Sequence, residues 1–356
     1  RTASSVLGVA MAVAILVASL WSFGSITYMI DITFFRTERH DAQVVFGGPE
    51  PQRTLFAVRK MPGVMVAEPF RMVSARISHR QMAKKLGIVG HPADSQLSRV
   101  LDADMRPMVL PEGGLILSEA LADALDVRPG DLVTVEVLEG ARPTLVLPVS
   151  GISLGYVGLG AAMDIDALNR LMGEGAMVSG LNLMIDGRDE TAFYAAAKSA
   201  PKTELITVTA LMLDRFQETL AENITVMISV YVTLATIIAV GVVYNFARIA
   251  LSEQGRELAS LRVLGFTNSE VAGVLFAELA AVVLMAQPLG WLIGYGIGLA
   301  MVAAFSSDLY RVPFVMGREV FATASLVVLA AALVSAFAIR GRISNLDMIE
   351  VLKTRE

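Results

Sequence analysis

Apolar residues gather into four runs, each long enough to cross about 30 Å of hydrocarbon, which takes about 20 helical residues. The first extends from Thr2 to Ile30 without a charge. A secretory signal peptide would have an apolar region of only about 7–15 residues and a small-residue cleavage site, so this run predicts transmembrane helix 1 over residues 1–30. The others are Ile224–Ala247, bounded by Glu222 and Arg248; Leu279–Ser307; and Val320–Ile339, between Arg318-Glu319 and Arg340. Four spans put both termini on one side of the bilayer.

Polar positions dominate elsewhere. Asp31–Ala221 holds 19 basic and 24 acidic residues, the charge content of a water-exposed domain, and it is long enough to bury its own core. In it, Gly113–Leu117 reads as a short strand ending at Ser118, a favourable N-cap for a helix over Glu119–Leu125. Arg128-Pro129-Gly130-Asp131 is a turn, and Leu132–Val137 with Thr144–Val149 reads as a hairpin. Asp164–Leu171 and Asp189–Ser199 have helical spacing. The domain, residues 31–209, is therefore expected to be mixed α and β.

Leu211, Met212, Phe216, Leu220 and Ile224 recur three or four apart, and neither Pro nor Gly interrupts the chain from Lys202 to Gly241. This predicts that the second span begins outside the membrane, as a stalk plus transmembrane helix 2 over residues 210–250, about 60 Å long at 1.5 Å per residue. The alternative leaves Asp214, Arg215 and Glu218 in a loop. Span one can likewise continue outward through Phe34 and Phe35.

After span two, Leu258, Leu261 and Leu264 recur at three-residue spacing while Glu253, Arg256, Glu257 and Arg262 stay polar, the pattern of an interfacial amphipathic helix. Gly265 suits its C-terminal stop, and Thr267–Glu270 has capping-box spacing. The segment 251–269 can rest on lipid headgroups or dock a cytoplasmic partner. The third span, residues 270–307, carries Glu278 near its start; an ionisable residue there is a functional candidate, although it can reach headgroup water. Gly290, Gly294 and Gly298 share one helix face and would let another helix approach. An outer loop (308–319), a fourth span (320–340) and a cytoplasmic tail (341–356) complete the order.

Composition narrows the function. Of 356 residues, 54% are hydrophobic and 18% charged, where a soluble domain carries about a quarter charged. A net charge of −5 gives no footprint for nucleic acid. Without cysteine there is no thiolate metal site, thiol nucleophile or disulfide. His40, His79 and His91 lie in unrelated contexts and read as surface residues. Ser118 lacks the flanking glycines of a nucleophile elbow. No catalytic, metal or cofactor group is predicted, and no Gly-x-x-x-x-Gly-Lys run occurs. Eight basic residues on the side of the termini against two in the outer loop lean toward cytoplasmic termini. The chain begins with Arg1, so it is expected to be excised from something longer.

Tyr244-Asn245 through Arg248, Glu253, Arg256-Glu257, Leu261-Arg262, Leu264-Gly265 and Glu278, then a glycine-rich span, a further span and the tail Leu346–Leu352, resemble the FtsX-like permease domain of ABC transporters. The segment from Leu115 through Gly130-Asp131 resembles the periplasmic core domain of the MacB-like members. The resemblance implies a multi-pass α-helical membrane protein of four transmembrane helices, with a mixed α/β extracytoplasmic domain inserted between helices 1 and 2, in the bacterial inner membrane. It implies a separate cytoplasmic ABC ATPase docking on Glu253, Arg256, Glu257, Leu258, Leu261, Arg262 and Gly265, and Glu278 as a recurring member of the third span. It also implies pairing with a second copy or a missing duplicated half.

The expected function is export or extraction of an amphiphilic substrate, such as a lipid, lipoprotein or peptide, by ATP-driven motion of the outer domain, with membrane lipids and an extracytoplasmic adaptor or substrate protein as further partners. The alternative is a signalling complex that activates a cell-wall hydrolase or senses a peptide without carrying anything.

Overall fold

The computed structural model describes residues 2–199, 203–263, 267–305 and 311–343. These form two compact units. One comprises residues 1–27, 220–304 and 314–356; the other comprises 28–219 and 305–313.

The first unit is helical. It contains most of α1 (Thr2–Ile30), of α6 (Thr209–Val263) and of α7 (Asn268–Phe305), and α8 (Arg318–Ile343). Each carries a stretch long and apolar enough to cross a membrane, four in all among the described residues: Ala3–Thr37, Val226–Ile249, Phe276–Ala304 and Arg318–Phe337. α1 is the hub. Val9, Val13, Leu16 and Val17 are fully enclosed, packed with Ala235 and Ala239 of α6, Val282 and Ala286 of α7, and Ala324 and Val328 of α8. Small alanines on the three outer helices let their backbones approach α1 closely, the usual basis of helix association where lipid is as apolar as leucine.

The second unit, the head, holds two β structures that share one strand. β1 (Ala42–Pro51), α2 (Thr54–Arg59), the first half of β2 (Val64–His79), β8 (Met177–Ile185), α5 (Glu190–Lys198) and β9 (Thr203–Val208) form an antiparallel sheet of order β2-β8-β1-β9. This is the split βαββαβ arrangement, its core built from Val44, Phe46, Leu55, Leu181, Leu183 and Phe193.

Everything between β2 and β8 is an insertion into that sheet. The second half of β2 pairs with β3 (Met82–His91) and β5 (Leu132–Val137); β5 pairs with β6 (Thr144–Ser153), β6 with β4 (Leu115–Ser118), β4 with β7 (Ala161–Asp164), and β7 with β3. The pairings close on themselves, a six-stranded barrel with no free edge. Val73, Ile77, Ile88, Leu117, Val135 and Met163 fill it, with α3 (Glu119–Leu125) and α4 (Ile165–Met172) packed on its core through Leu121 and Leu168.

Local chemistry sets the element ends. The Ser118 hydroxyl accepts from the Leu121 amide at 3.4 Å and from the Gly160 amide at 3.0 Å, so one side chain caps α3 and holds the loop before β7. Asp164 caps α4 through the Ala167 amide at 2.9 Å, and Gly173 closes it with φ +67°. The expected strand, hairpin and helices over 113–171 all form, with the strand shifted to Leu115–Ser118, the second hairpin strand extended to Ser153 and the last helix running to Met172.

Candidate coupling site

The chain enters and leaves the head's antiparallel sheet at one end, here called its root. α1 leads into a π-helical segment, Asp31–Thr37, closed by the Glu38 amide donating to the Thr33 carbonyl at 2.9 Å. The next residues are tied to the head by a short ladder: the Arg39 amide donates to the Leu97 carbonyl at 2.8 Å and the Arg99 amide to the Thr37 carbonyl at 2.9 Å. β1 and β9 are antiparallel neighbours with Ala42 opposite Val208, so the chain enters β1 and leaves β9 for α6 at the same end of the pair. Asp41 closes that end. Its amide donates to the Leu183 carbonyl (2.8 Å), its carbonyl accepts from the Thr209 amide (2.9 Å), and its carboxylate accepts from the Ile185 amide (2.8 Å).

Two histidines expected at the surface are buried here. His40 Nδ1 lies 3.2 Å from the Glu38 carboxylate. The Ser98 hydroxyl donates to the same carboxylate at 3.2 Å and lies 3.5 Å from His91 Nε2. Burial holds His91 below the usual imidazole value, against the pull of the Glu38 and Glu68 carboxylates. Burial would raise Glu38, but the hydrogen bond and charge of His40, with His91 and Ser98, outweigh it and hold its carboxyl low. Their burial arises from pairings distant in sequence: His91 ends β3 opposite Asp164 of β7 and lies against the Phe70 ring. His79 Nδ1 meets the Leu125 carbonyl at 3.1 Å. Among the described residues, no group of three or more His, Asp or Glu is placed to hold a metal ion.

Beside this root lies a cleft of about 390 Å³, walled by Phe34 and Phe35 of the π-helical segment, Glu190 and Tyr194 of α5, and Ala210 and Leu213 of α6. Burial, with the charge and hydrogen bond of Glu190, pushes the Tyr194 phenol up to about 12. The sequence placed Phe34, Phe35 and several of these neighbours on their elements, but gave no sign that they share a cleft.

α6 runs without interruption from Thr209 to Val263. Asp214, Arg215 and Glu218 are helical, with Arg215 and Glu218 paired at 3.2 Å. Glu253, Arg256, Glu257, Leu258, Leu261 and Arg262 belong to the same helix, so the segment expected as a separate interfacial helix is instead the last three turns of α6. The reason is local: nothing between Ile249 and Val263 breaks a helix except the lone Gly255, which costs only about 1 kcal/mol. Gly265 lies outside the described residues.

The turn into α7 has both arms of a capping box. The Thr267 amide donates to the Glu270 carboxylate at 2.8 Å, and the Glu270 amide donates to the Thr267 hydroxyl at 3.4 Å. The Thr267 amide, with the Thr267 hydroxyl donating to the same carboxylate at 2.8 Å, holds the Glu270 carboxyl below its ordinary value. Glu278 is half-buried two residues into the apolar stretch of α7. Of the three glycines, two face α1: a Cβ on Gly290 would come within 2.5 Å of Val13 Cβ and one on Gly294 within 2.7 Å of Val17 Cβ. Gly298 instead faces Phe314 and Met316 of the segment before α8.

A search of curated proteins finds no match to this chain. Among solved structures, the chain is similar to the extracellular domain of the noncanonic ABC-type transporter YknZ from Gram-positive bacteria, at 13% identity over 47% of this chain and 98% of that one, with a TM-score of 0.33. It is also similar to the periplasmic region of MacB from Actinobacillus actinomycetemcomitans, at 11% identity over 54% and 98%, with a TM-score of 0.35. Residues 229–348 match the family model of the FtsX-like permease C-terminal region. That match, a third of the chain, covers the second half of α6 together with α7 and α8, and over those residues the chain is similar to the C-terminal region of FtsX-like permeases.

Proposed function

We propose that this chain is the permease subunit of an ABC-type machine in a bacterial inner membrane, with cytoplasmic termini and the head outside. A separate ATPase docks on Glu253, Arg256, Glu257, Leu258, Leu261, Arg262 and Gly265. ATP binding and hydrolysis there move the head, which exports or extracts an amphiphilic substrate such as a lipid, lipoprotein or peptide.

The observation that carries this reading is the continuity of α6. Fifty-five residues at 1.5 Å each make a rod of about 80 Å, far more than the roughly 30 Å of hydrocarbon. Its apolar stretch, Val226–Ile249, leaves helix on both sides. A long helix curves gently but kinks sharply only at Pro, at Gly/Ser pairs, at π-bulges or where a group inserts into its hydrogen bonds, and α6 contains no Pro. Displacement at the docking segment is therefore delivered to β9 rather than absorbed on the way. The family match over 229–348 supports the permease assignment.

The test is charge reversal, Arg256→Glu with Glu257→Arg, in the chain coexpressed with the ATPase. Expression and membrane insertion should stay at native levels, while copurification of the ATPase and stimulated hydrolysis should fall at least tenfold. Unchanged copurification and stimulation would refute docking at this segment.

A further inference from the structure

The connection between α7 and α8 is more than a linker. The described residues from Arg311 to Pro313 belong to the head, and Arg311 is the reason. Its Nη2 lies 2.7 Å from Asp123 Oδ2 and its Nη1 3.9 Å from Glu119 Oε2, so one guanidinium spans two carboxylates a single turn apart on α3. Carboxylates at that spacing repel one another, and the cation between them converts the repulsion into attraction. The Arg311 amide also donates to the Tyr156 carbonyl at 3.0 Å. Tyr156 in turn meets Tyr28 edge to face, with ring centroids 6.1 Å apart. Four segments distant in sequence thus converge: the end of α1, α3, the loop between β6 and β7, and the α7–α8 connection.

Exposure tells what kind of contact this is. Arg311 is 31% exposed, Glu119 52% and Asp123 64%. Ion pairs this wet hold weakly and exchange with water. A permanent brace would be buried; a weak, directional contact suits a part that engages and lets go.

We propose that Arg311 is the bolt of a releasable latch. In the resting state it locks the α7–α8 connection to α3 of the head, and ATP-driven motion of the head withdraws it. This rests on the mechanical reading above and adds to it a state-dependent role for the α7–α8 connection.

Because the Arg311 amide is itself one of the latch bonds, amide hydrogen exchange reads the latch directly. With the chain alone in lipid nanodiscs, Arg311→Glu should speed exchange at Arg311 and the following residues at least tenfold. The swap Arg311→Glu with Asp123→Arg should return it to within about twofold of native, which a misfolded head would not do, and Arg311→Lys should fall between. In the complex with its ATPase, trapping with ATP and vanadate should bring the native chain to the exchange rate of Arg311→Glu. Native exchange in Arg311→Glu would overturn the latch whatever the ATPase does. Fast exchange in that variant with no change on trapping would overturn its release. Loss of ATPase binding altogether would instead strike the docking segment, leaving the nanodisc comparison to decide whether the latch exists.

Discussion

The contact of α7 with α1 makes a sharp prediction, because two glycines on one helix have opposite surroundings. An alanine Cβ at Gly290 would sit 2.5 Å from Val13 Cβ and 2.8 Å from the Ala10 carbonyl oxygen, whereas at Gly296 nothing lies within 4 Å. Neither neighbour of Gly290 can yield alone. Val13 is fully buried and β-branched, with one strongly preferred rotamer in a helix, and Ala10 presents its backbone. Carbon atoms pack at about 3.5–4.0 Å, so α1 and α7 must part by about 1 Å, loosening the next contact, Gly294 on Val17, as well. Overpacking of this kind costs about 1–3 kcal/mol. Replacing Gly by Ala also favours the helix by up to about 1 kcal/mol, but that gain is common to both sites and cancels in the difference. Gly290→Ala should therefore be about 1–3 kcal/mol less stable than Gly296→Ala, from several-fold to about a hundredfold in the unfolding equilibrium at 1.4 kcal/mol per tenfold. The assay is reversible unfolding in mixed micelles, followed by tryptophan fluorescence, with the two variants side by side. Equal stability would refute the close approach of α1 and α7.

The remaining predictions concern the head. His91 is held neutral by burial, so below about pH 6.5, its ordinary value, the unfolded chain binds a proton that the folded head refuses. Stability from this group is complete above pH 6.5 and lost as pH falls through the lowered folded value, and Glu38, held below its ordinary 4.5, adds a further loss in stronger acid. Melting temperature should fall between pH 7 and 5, and His91→Asn should flatten that slope; an unchanged slope would exclude His91 as its source. Ser118→Ala should cost about 1–2 kcal/mol, since it removes a helix cap and leaves the Gly160 amide without its acceptor; hydrogen exchange at Leu121 and Gly160 should quicken together, and protection at both as in the native chain would contradict the shared cap.

The parts legible in the sequence are those written in contiguous residues. The four spans follow from unbroken apolar length, and the Ser118 cap, the hairpin of Leu132–Val137 with Thr144–Val149, and the Thr267–Glu270 box each use neighbours a few positions apart. What escaped depends on pairing across long separations. β2 serves two structures because Arg71–His79 pairs with β3 while Val64–Phe70 pairs with β8 more than a hundred residues away, and alternation along a strand says which face is buried but not which partner covers it. His40 stands among polar neighbours and His91 between Gly90 and Pro92 at the end of an apolar stretch, and neither context says what covers the imidazole. Arg311, at the edge of a short loop, carries no sequence signal of its carboxylates on α3. The end of the second span misled for the converse reason, since periodicity marks a helix equally well whether it stops at the membrane or continues through it.

Under the proposed mechanism, the geometry of β1 and β9 decides what the head can transmit. Their ends at the root lie side by side, Ala42 opposite Val208, where the chain arrives from α1 and leaves for α6. Force that splays the two connections would load the ladder one bond at a time from that end, the weakest way to pull an antiparallel pair, because each hydrogen bond contributes only about 1 kcal/mol net. Asp41 stands where such an unzipping would begin. Its carbonyl holds the first amide of α6, its own amide holds β8, and its carboxylate takes a second β8 amide in a charge-assisted bond, roughly twice as strong as a neutral one. The first bond to break is thus cross-linked into a third strand, and opening β1 from β9 requires disturbing β8 at Leu183 and Ile185, both in the head's core. Sliding of the helices along their length loads the ladder bonds together instead. The root of the head therefore resists both modes, and motion of α6 moves the sheet as one body rather than peeling β9 from its edge.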